Sequence, residues 1–147
     1  MALIKQYVID ASVVMKWYLT DEEHADKADS LLRSLHLGDM QLIGPSLLRH
    51  EIANGLLMAY RRKYLSWDEV RRGYHDFQEL DITQRSDGEV LMTRALEFGR
   101  QMNIALYDAL YLALADRLGY PLVTADAKFL QRVSATPQNV IWIGDIS

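Results

Sequence analysis

Tyr7-Val8-Ile9-Asp10-Ala11-Ser12 runs from apolar residues into a single aspartate, followed by a small residue and a hydroxyl. Tyr7 to Ile9 reads as the end of a buried strand, and Ser12 as the cap of a helix that begins at Val13. Asp10 therefore stands where a strand hands over to a helix. In α/β folds, ligands bind in the crevice outside the carboxyl ends of such strands. Three more acids, Glu51, Asp108 and Asp126, occur in comparable settings. The sequence thus points to a fold that brings four carboxylates together.

The flanking segments support this reading. Residues 4–9 form the first expected strand, and Ser12 to Leu19 a short helix. A helix from Glu22 to Leu37 carries Ala25, Ala28, Leu32 and Leu35 as its apolar stripe and stops at Gly38. Met40 to Ile43 is the second strand. Ser46 opens a long helix to Tyr64, loosened near Gly55. Ser66 with Glu69, and Ser86 with Glu89, have capping-box spacing and open two further helices, with a strand at Asp81 to Thr83 between them. Leu106 to Leu118 is a strongly apolar helix ending at Gly119. Pro121 to Thr124 is a strand, Asp126 to Val133 a short helix, and Val140 to Ile143 a last strand. Strands alternating with helices imply an α/β fold with a mostly parallel sheet covered by helices on both faces.

The 147 residues suit a single domain, 1–147, with a proper core. Half of the chain is hydrophobic and 24% is charged, as in ordinary globular proteins. The absence of cysteine excludes disulfides and zinc-thiolate sites and suits a reducing cytoplasmic setting. Lys5, Gln6 and Asp10 interrupt any signal-peptide core, and the apolar run Ala109 to Ala115 is far short of the ~20 residues of a membrane span, so no membrane role is expected. A net charge of −4 argues against a general nucleic-acid coat protein. It is compatible with a metal-binding acidic site, because bound cations invert local electrostatics.

The four acids differ in what they say alone. Asp10 and Asp126 each follow a strand and could be turn or N-cap residues. Two strand-end acids in one parallel sheet nevertheless share an edge. Glu51 shares a helix face with Leu47, Leu48 and Gly55, and acids are rarely buried without a partner. Asp108 lies in a stripe with Ile104, Ala105, Tyr111, Leu112 and Ala115. A carboxylate there must be protonated, paired or metal-bound, and no basic residue lies within one turn of it. Four converging carboxylates need a cation, and an all-oxygen set without His or Cys suits Mg²⁺ or Mn²⁺. Such clusters can hold metals ~3.5–4 Å apart for phosphodiester cleavage.

Four blocks carry a resemblance: V-I-D-A-S-V at Asp10, R-H-E-I-A-N at Glu51, L-Y-D-A-L-Y-L-A-L-A at Asp108 and L-V-T-A-D-A-K-F at Asp126. In their order and over nearly the whole chain, the sequence resembles PIN-domain ribonucleases, in particular the VapC toxins of toxin–antitoxin pairs. The resemblance implies a three-layer PIN-like α/β fold, a central, mostly parallel five-stranded sheet flanked by helices, and Mg²⁺- or Mn²⁺-dependent endonucleolytic cleavage of RNA. It also implies neutralisation by a cognate antitoxin, and homodimers. Asp10, Glu51, Asp108 and Asp126 match the family's catalytic, metal-binding acids, and Ser12 and Thr124 match its flanking hydroxyls.

Around these residues, Ser12 is expected to cap its helix and to donate to Asp126 or a metal-bound water. Lys128, Arg49, Arg61 and Arg62 are candidate RNA contacts, the last two within the basic run Arg61-Arg62-Lys63. Favourable charge at the end of a helix is the plainer reading of that run. Trp17, Tyr18, Met58 and Tyr60 are assigned to core or interface ahead of base stacking. Two other functions remain open on residues alone. One is a phosphotransferase or phosphatase with Asp10 as nucleophile, weakened because Ser12 stands where one such class has a second acid. The other is a non-enzymatic module in which the acids bind a structural cation.

Overall fold

The computed structural model of the chain describes residues 3–133 and 139–146. Its five strands are β1 (Lys5–Ile9), β2 (Met40–Pro45), β3 (Ile82–Arg85), β4 (Leu122–Thr124) and β5 (Val140–Trp142). They form one sheet in the order β3-β2-β1-β4-β5. Every pairing is parallel, Val8 lying opposite both Ile43 and Leu122. The helices are α1 (Ala11–Met15), α2 (Ala25–Leu37), α3 (Leu48–Arg61), α4 (Trp67–Glu79), α5 (Gly88–Met102), α6 (Leu106–Leu118) and α7 (Ala127–Val133). Leu122, Val123 and Thr124 are all fully buried. Successive strand side chains point to opposite faces, so helices cover both sides of the sheet here.

The strand order places the site. From β1 the chain builds outward through β2 and β3, then returns to lay β4 against the other edge of β1. The order reverses between β1 and β4, and a crevice opens at the carboxyl ends of these two neighbours. Asp10 directly follows β1, and Asp126 lies two residues beyond β4. α6, the most apolar helix, packs on β1, β2 and β4, and α3 packs against α1. Two helices thus deliver Asp108 and Glu51 towards the same edge. Among the described residues, no helix is long and apolar enough to cross a membrane.

Several expected boundaries shift, each for a local reason. Ser12 is not a cap: α1 begins at Ala11, with Asp10 in extended backbone at the cap position. α2 starts at Ala25 rather than Glu22, because His24 adopts a left-handed backbone (φ 64°) with its ring edge-on to Trp142. α3 starts at Leu48 rather than Ser46, because the Ser46 amide donates to the Arg85 carbonyl at 2.8 Å and prolongs the β2–β3 ladder. Gly55 does not loosen α3, which is continuous. A Cβ at that position would lie 2.8 Å from the Met15 sulfur, so the glycine allows α1 to press against α3. The box of Ser66 and Glu69 forms with both reciprocal bonds. The box expected at Ser86 and Glu89 does not: α5 begins at Gly88, and Asp87 is held by Arg85 and Arg117 instead.

Candidate active site

Asp10 anchors the site. It is 8% exposed, and two hydroxyls converge on its Oδ2, Thr124 donating at 2.8 Å and Ser12 at 3.0 Å. Each hydroxyl also accepts from the backbone beyond β4: Ser12 Oγ from the Ala125 amide at 3.0 Å, Thr124 Oγ1 from the Asp126 amide at 3.1 Å. The expected bond from Ser12 to Asp126 is therefore replaced by one to Asp10, with Ser12 reaching the β4 side through Ala125. Asp126 caps α7, its Oδ1 accepting from the Phe129 amide at 3.1 Å. This is the plain N-cap role, and it fixes the direction of the carboxylate.

Glu51 and Asp108 complete the constellation. Glu51 is half-buried on α3, and its Oε1 is buried without a hydrogen-bond partner. Tyr111, one turn after Asp108 on α6, also has a buried hydroxyl without a geometrically complete bond, yet it lies close enough to Glu51 for each to act on the other's charge. Asp108 is half-buried near the start of α6.

The electrostatics show that the acids face one another. Burial pushes Asp108 up to about 6, and repulsion from Asp10, Asp126 and Glu51 adds to it. Asp10 is raised by burial, against the lowering effect of the Thr124 and Ser12 hydrogen bonds, with Asp126 contributing repulsion. Glu51 is raised by burial and by Asp10, while the Tyr111 hydroxyl lowers it. Burial and the surrounding acids also push the Tyr111 phenol well above its ordinary range. Among the described residues, no lysine, arginine or histidine forms an ion pair with any of the four acids. The salt-bridge alternative for Asp108 has no partner there.

The residues fit a hard divalent cation. All four donors are carboxylates, their shared repulsion is uncompensated, and one buried oxygen, Glu51 Oε1, has no partner. Among the described residues, no three of these side chains stand close enough together to hold a metal ion as they lie, so a cation would have to draw them in. An all-carboxylate set suits a hard divalent cation that keeps several of its waters.

The remaining candidates separate. Arg49, Lys128, Arg61 and Arg62 are all exposed. Arg61 turns back to the Met58 sulfur at 3.9 Å. Arg62 lines a hollow of about 430 Å³ that also takes in Ser12 and Ala125. Trp17 and Tyr18 are partly buried, and Trp17 donates to the Ala28 carbonyl at 2.7 Å. Tyr60 is 43% exposed and therefore not a core residue; it stands edge-on to Trp67. The sequence reading passed over Lys16, buried beside this hollow, and gave Tyr111 no role beyond the apolar stripe. Helical spacing was the available signal: Lys16 is four residues from Ser12, and Tyr111 three from Asp108.

Comparison with known proteins gives a consistent result. The profile of the PIN domain matches residues 7–135. "Ribonuclease VapC3" of Pyrobaculum aerophilum is 31% identical over 132 residues, covering 87% of this chain and 95% of that protein. The crystal structure of PAE2754 from Pyrobaculum aerophilum superposes with a TM-score of 0.69 at 20% identity, covering 97% of this chain and 93% of that one. A chain of a toxin–antitoxin complex from Klebsiella pneumoniae superposes at 0.60 with 14% identity, covering 92% and 95%.

Proposed function

From the premise that the chain belongs to the PIN-domain family, we propose that it is an endoribonuclease, the toxin of a toxin–antitoxin pair, hydrolysing RNA phosphodiester bonds with Mg²⁺ or Mn²⁺. The observation that carries this reading is the convergence of Asp10, Glu51, Asp108 and Asp126 at the β1/β4 crevice, with the Asp10, Glu51 and Asp108 carboxyls raised and no ion pair to any of the four among the described residues. The whole chain, 1–147, acts as one such domain in the cytoplasm, as a homodimer, with a cognate antitoxin as its protein partner.

Asp10, Asp108, Asp126 and Glu51 would hold the metal. When bound, it supplies Lewis acidity that activates water and stabilises the departing oxygen of an in-line displacement. The protein's own contribution is orientation. Thr124 and Ser12 fix Asp10 through Oδ2 and tie it to the backbone beyond β4. The Phe129 amide aims Asp126. Buried apolar neighbours on α3 and α6 exclude bulk water behind Glu51 and Asp108, which strengthens every charge interaction at the crevice.

The test is cleavage of a mixed RNA pool by antitoxin-free protein with Mg²⁺, with Mn²⁺ and with chelator, run beside the Asp108→Asn variant. Metal-dependent cutting that the variant lacks is the expected result. Equal cutting by the variant refutes the site. Metal binding without any turnover returns the chain to the binding-module reading.

A further inference from the structure

The hollow beside the crevice is chemically distinctive. Ser12 and Ala125 form its inner end, against the acids; Lys16, Met58, Arg62 and Tyr64 carry it away from them. Lys16 keeps only 11% of its side-chain surface exposed, and among the described residues its one ion pair is a loose one, at 3.7 Å, to Glu22, which also lines the hollow. A cation so enclosed gains from a second anion. Arg62 is exposed at the far end, and Tyr64, 68% exposed, presents its ring there. Two cations and an open aromatic along one groove match what single-stranded nucleic acid requires: charge for the backbone and a face for a base.

We propose that this groove seats the single-stranded RNA flanking the scissile phosphate, with Lys16 and Arg62 holding backbone phosphates and Tyr64 stacking on an unpaired base. The proposal deepens the ribonuclease reading and rests on it. The groove is continuous with Ser12, which hydrogen-bonds Asp10, so a strand whose phosphate meets the acids enters or leaves along it. Arg61, one residue from Arg62, turns to Met58 and takes no part.

The experiment measures binding of a short randomised single-stranded RNA by fluorescence anisotropy, in the Asp108→Asn background so that the probe stays intact, over a potassium chloride series. Lys16→Gln and Arg62→Gln should each reduce the slope of log affinity against log salt by about 0.7, equivalent to about five-fold weaker binding near 0.1 M salt. Lys16→Arg should restore binding. Tyr64→Ala should weaken binding about ten-fold with the slope unchanged. Arg72→Gln, a charge-matched change on α4 in a separate hollow, should leave both quantities unchanged. Unchanged salt slopes for Lys16→Gln and Arg62→Gln, with RNA still bound, overturn the groove assignment alone and leave the hollow to a protein segment. An equal loss with Arg72→Gln reduces the effect to net charge and overturns it too. A parent protein that binds no RNA removes the ribonuclease reading along with the groove. Should Lys16→Gln fail to fold, Arg62→Gln and Tyr64→Ala, both at exposed positions, decide the matter.

Discussion

Replacing Asp108 with asparagine should make the metal-free protein more stable while abolishing cleavage. The Asp108 carboxyl lies at about 6 against an ordinary 3.8, through burial first and then repulsion from Asp10, Asp126 and Glu51. Over that interval the ionised form is disfavoured by about 3 kcal/mol. The side chain is only half-buried, so solvent screening leaves about 1–2 kcal/mol as the destabilisation at neutral pH. Because the folded value lies above the unfolded one, the stabilisation carried by the bound proton is complete below 3.8 and is lost as pH rises through about 6. Asparagine, nearly isosteric and neutral, escapes that loss. With chelator at pH 7.5 the variant should melt about 3–6 °C above the parent, and the gap should shrink to about a third by pH 4.5 and close below 3.8. Added Mg²⁺ should stabilise the parent by mass action and the variant much less. Thermal unfolding by circular dichroism across pH, with and without metal, reads all of this. A variant less stable than its parent at pH 7.5, or a gap that persists unchanged into acid, would refute the claim that Asp108 stands uncompensated among like charges.

Three further outcomes follow from the same geometry. Thr124→Val removes the 2.8 Å bond to Asp10 and the acceptor of the Asp126 amide, and should lower metal affinity or turnover about 10–100-fold, measured by calorimetry and RNA cleavage. Gly55→Val drives methyl groups into Met15 and should cost about 1–3 kcal/mol in urea unfolding; a smaller cost in the Met15→Ala background would identify that contact as the cause. Tyr111→Phe deletes the hydroxyl that holds Glu51 down, so Glu51 in the metal-free protein should titrate at still higher pH by carboxyl NMR.

Most of the sheet was legible because a parallel strand buried on both faces leaves a continuous apolar run, as at Leu122-Val123-Thr124. The Ser66–Glu69 box was legible because its chemistry is complete within four residues. The identical spacing at Ser86–Glu89 failed because distant Arg117, together with Arg85, captures Asp87, a competition that local sequence does not contain. Gly55 was misread for a similar reason: a glycine in a helix signals weakness until the partner helix pressing on it is known. At the site, residue types and their setting pointed to all four acids. The bonding did not follow: Ser12 sits inside α1, holds Asp10 and accepts from Ala125, 113 residues further along the chain, a pairing fixed only once β1 and β4 are neighbours. Lys16 stayed hidden because one lysine in a short helix looks like solvent-facing charge until its burial is known.

That cross-linking also explains how the fold tolerates its own site. Carboxylates in the crevice repel one another across the ends of β1 and β4, Asp126 acting on Asp10 and both acting on Asp108. The same ends are held together by Val8 and Ile9 paired to Leu122 and Val123, by the Asp10 amide on the Val123 carbonyl at 3.1 Å, and by the two hydroxyl bridges. Each bridge uses one hydroxyl twice, donating to Asp10 and accepting from the β4 side. Repulsion between the acids therefore loads bonds whose donors also orient the carboxylate. Losing either hydroxyl should loosen the crevice and misdirect Asp10 together, so stability and metal affinity at this site should fall in step rather than trade against each other.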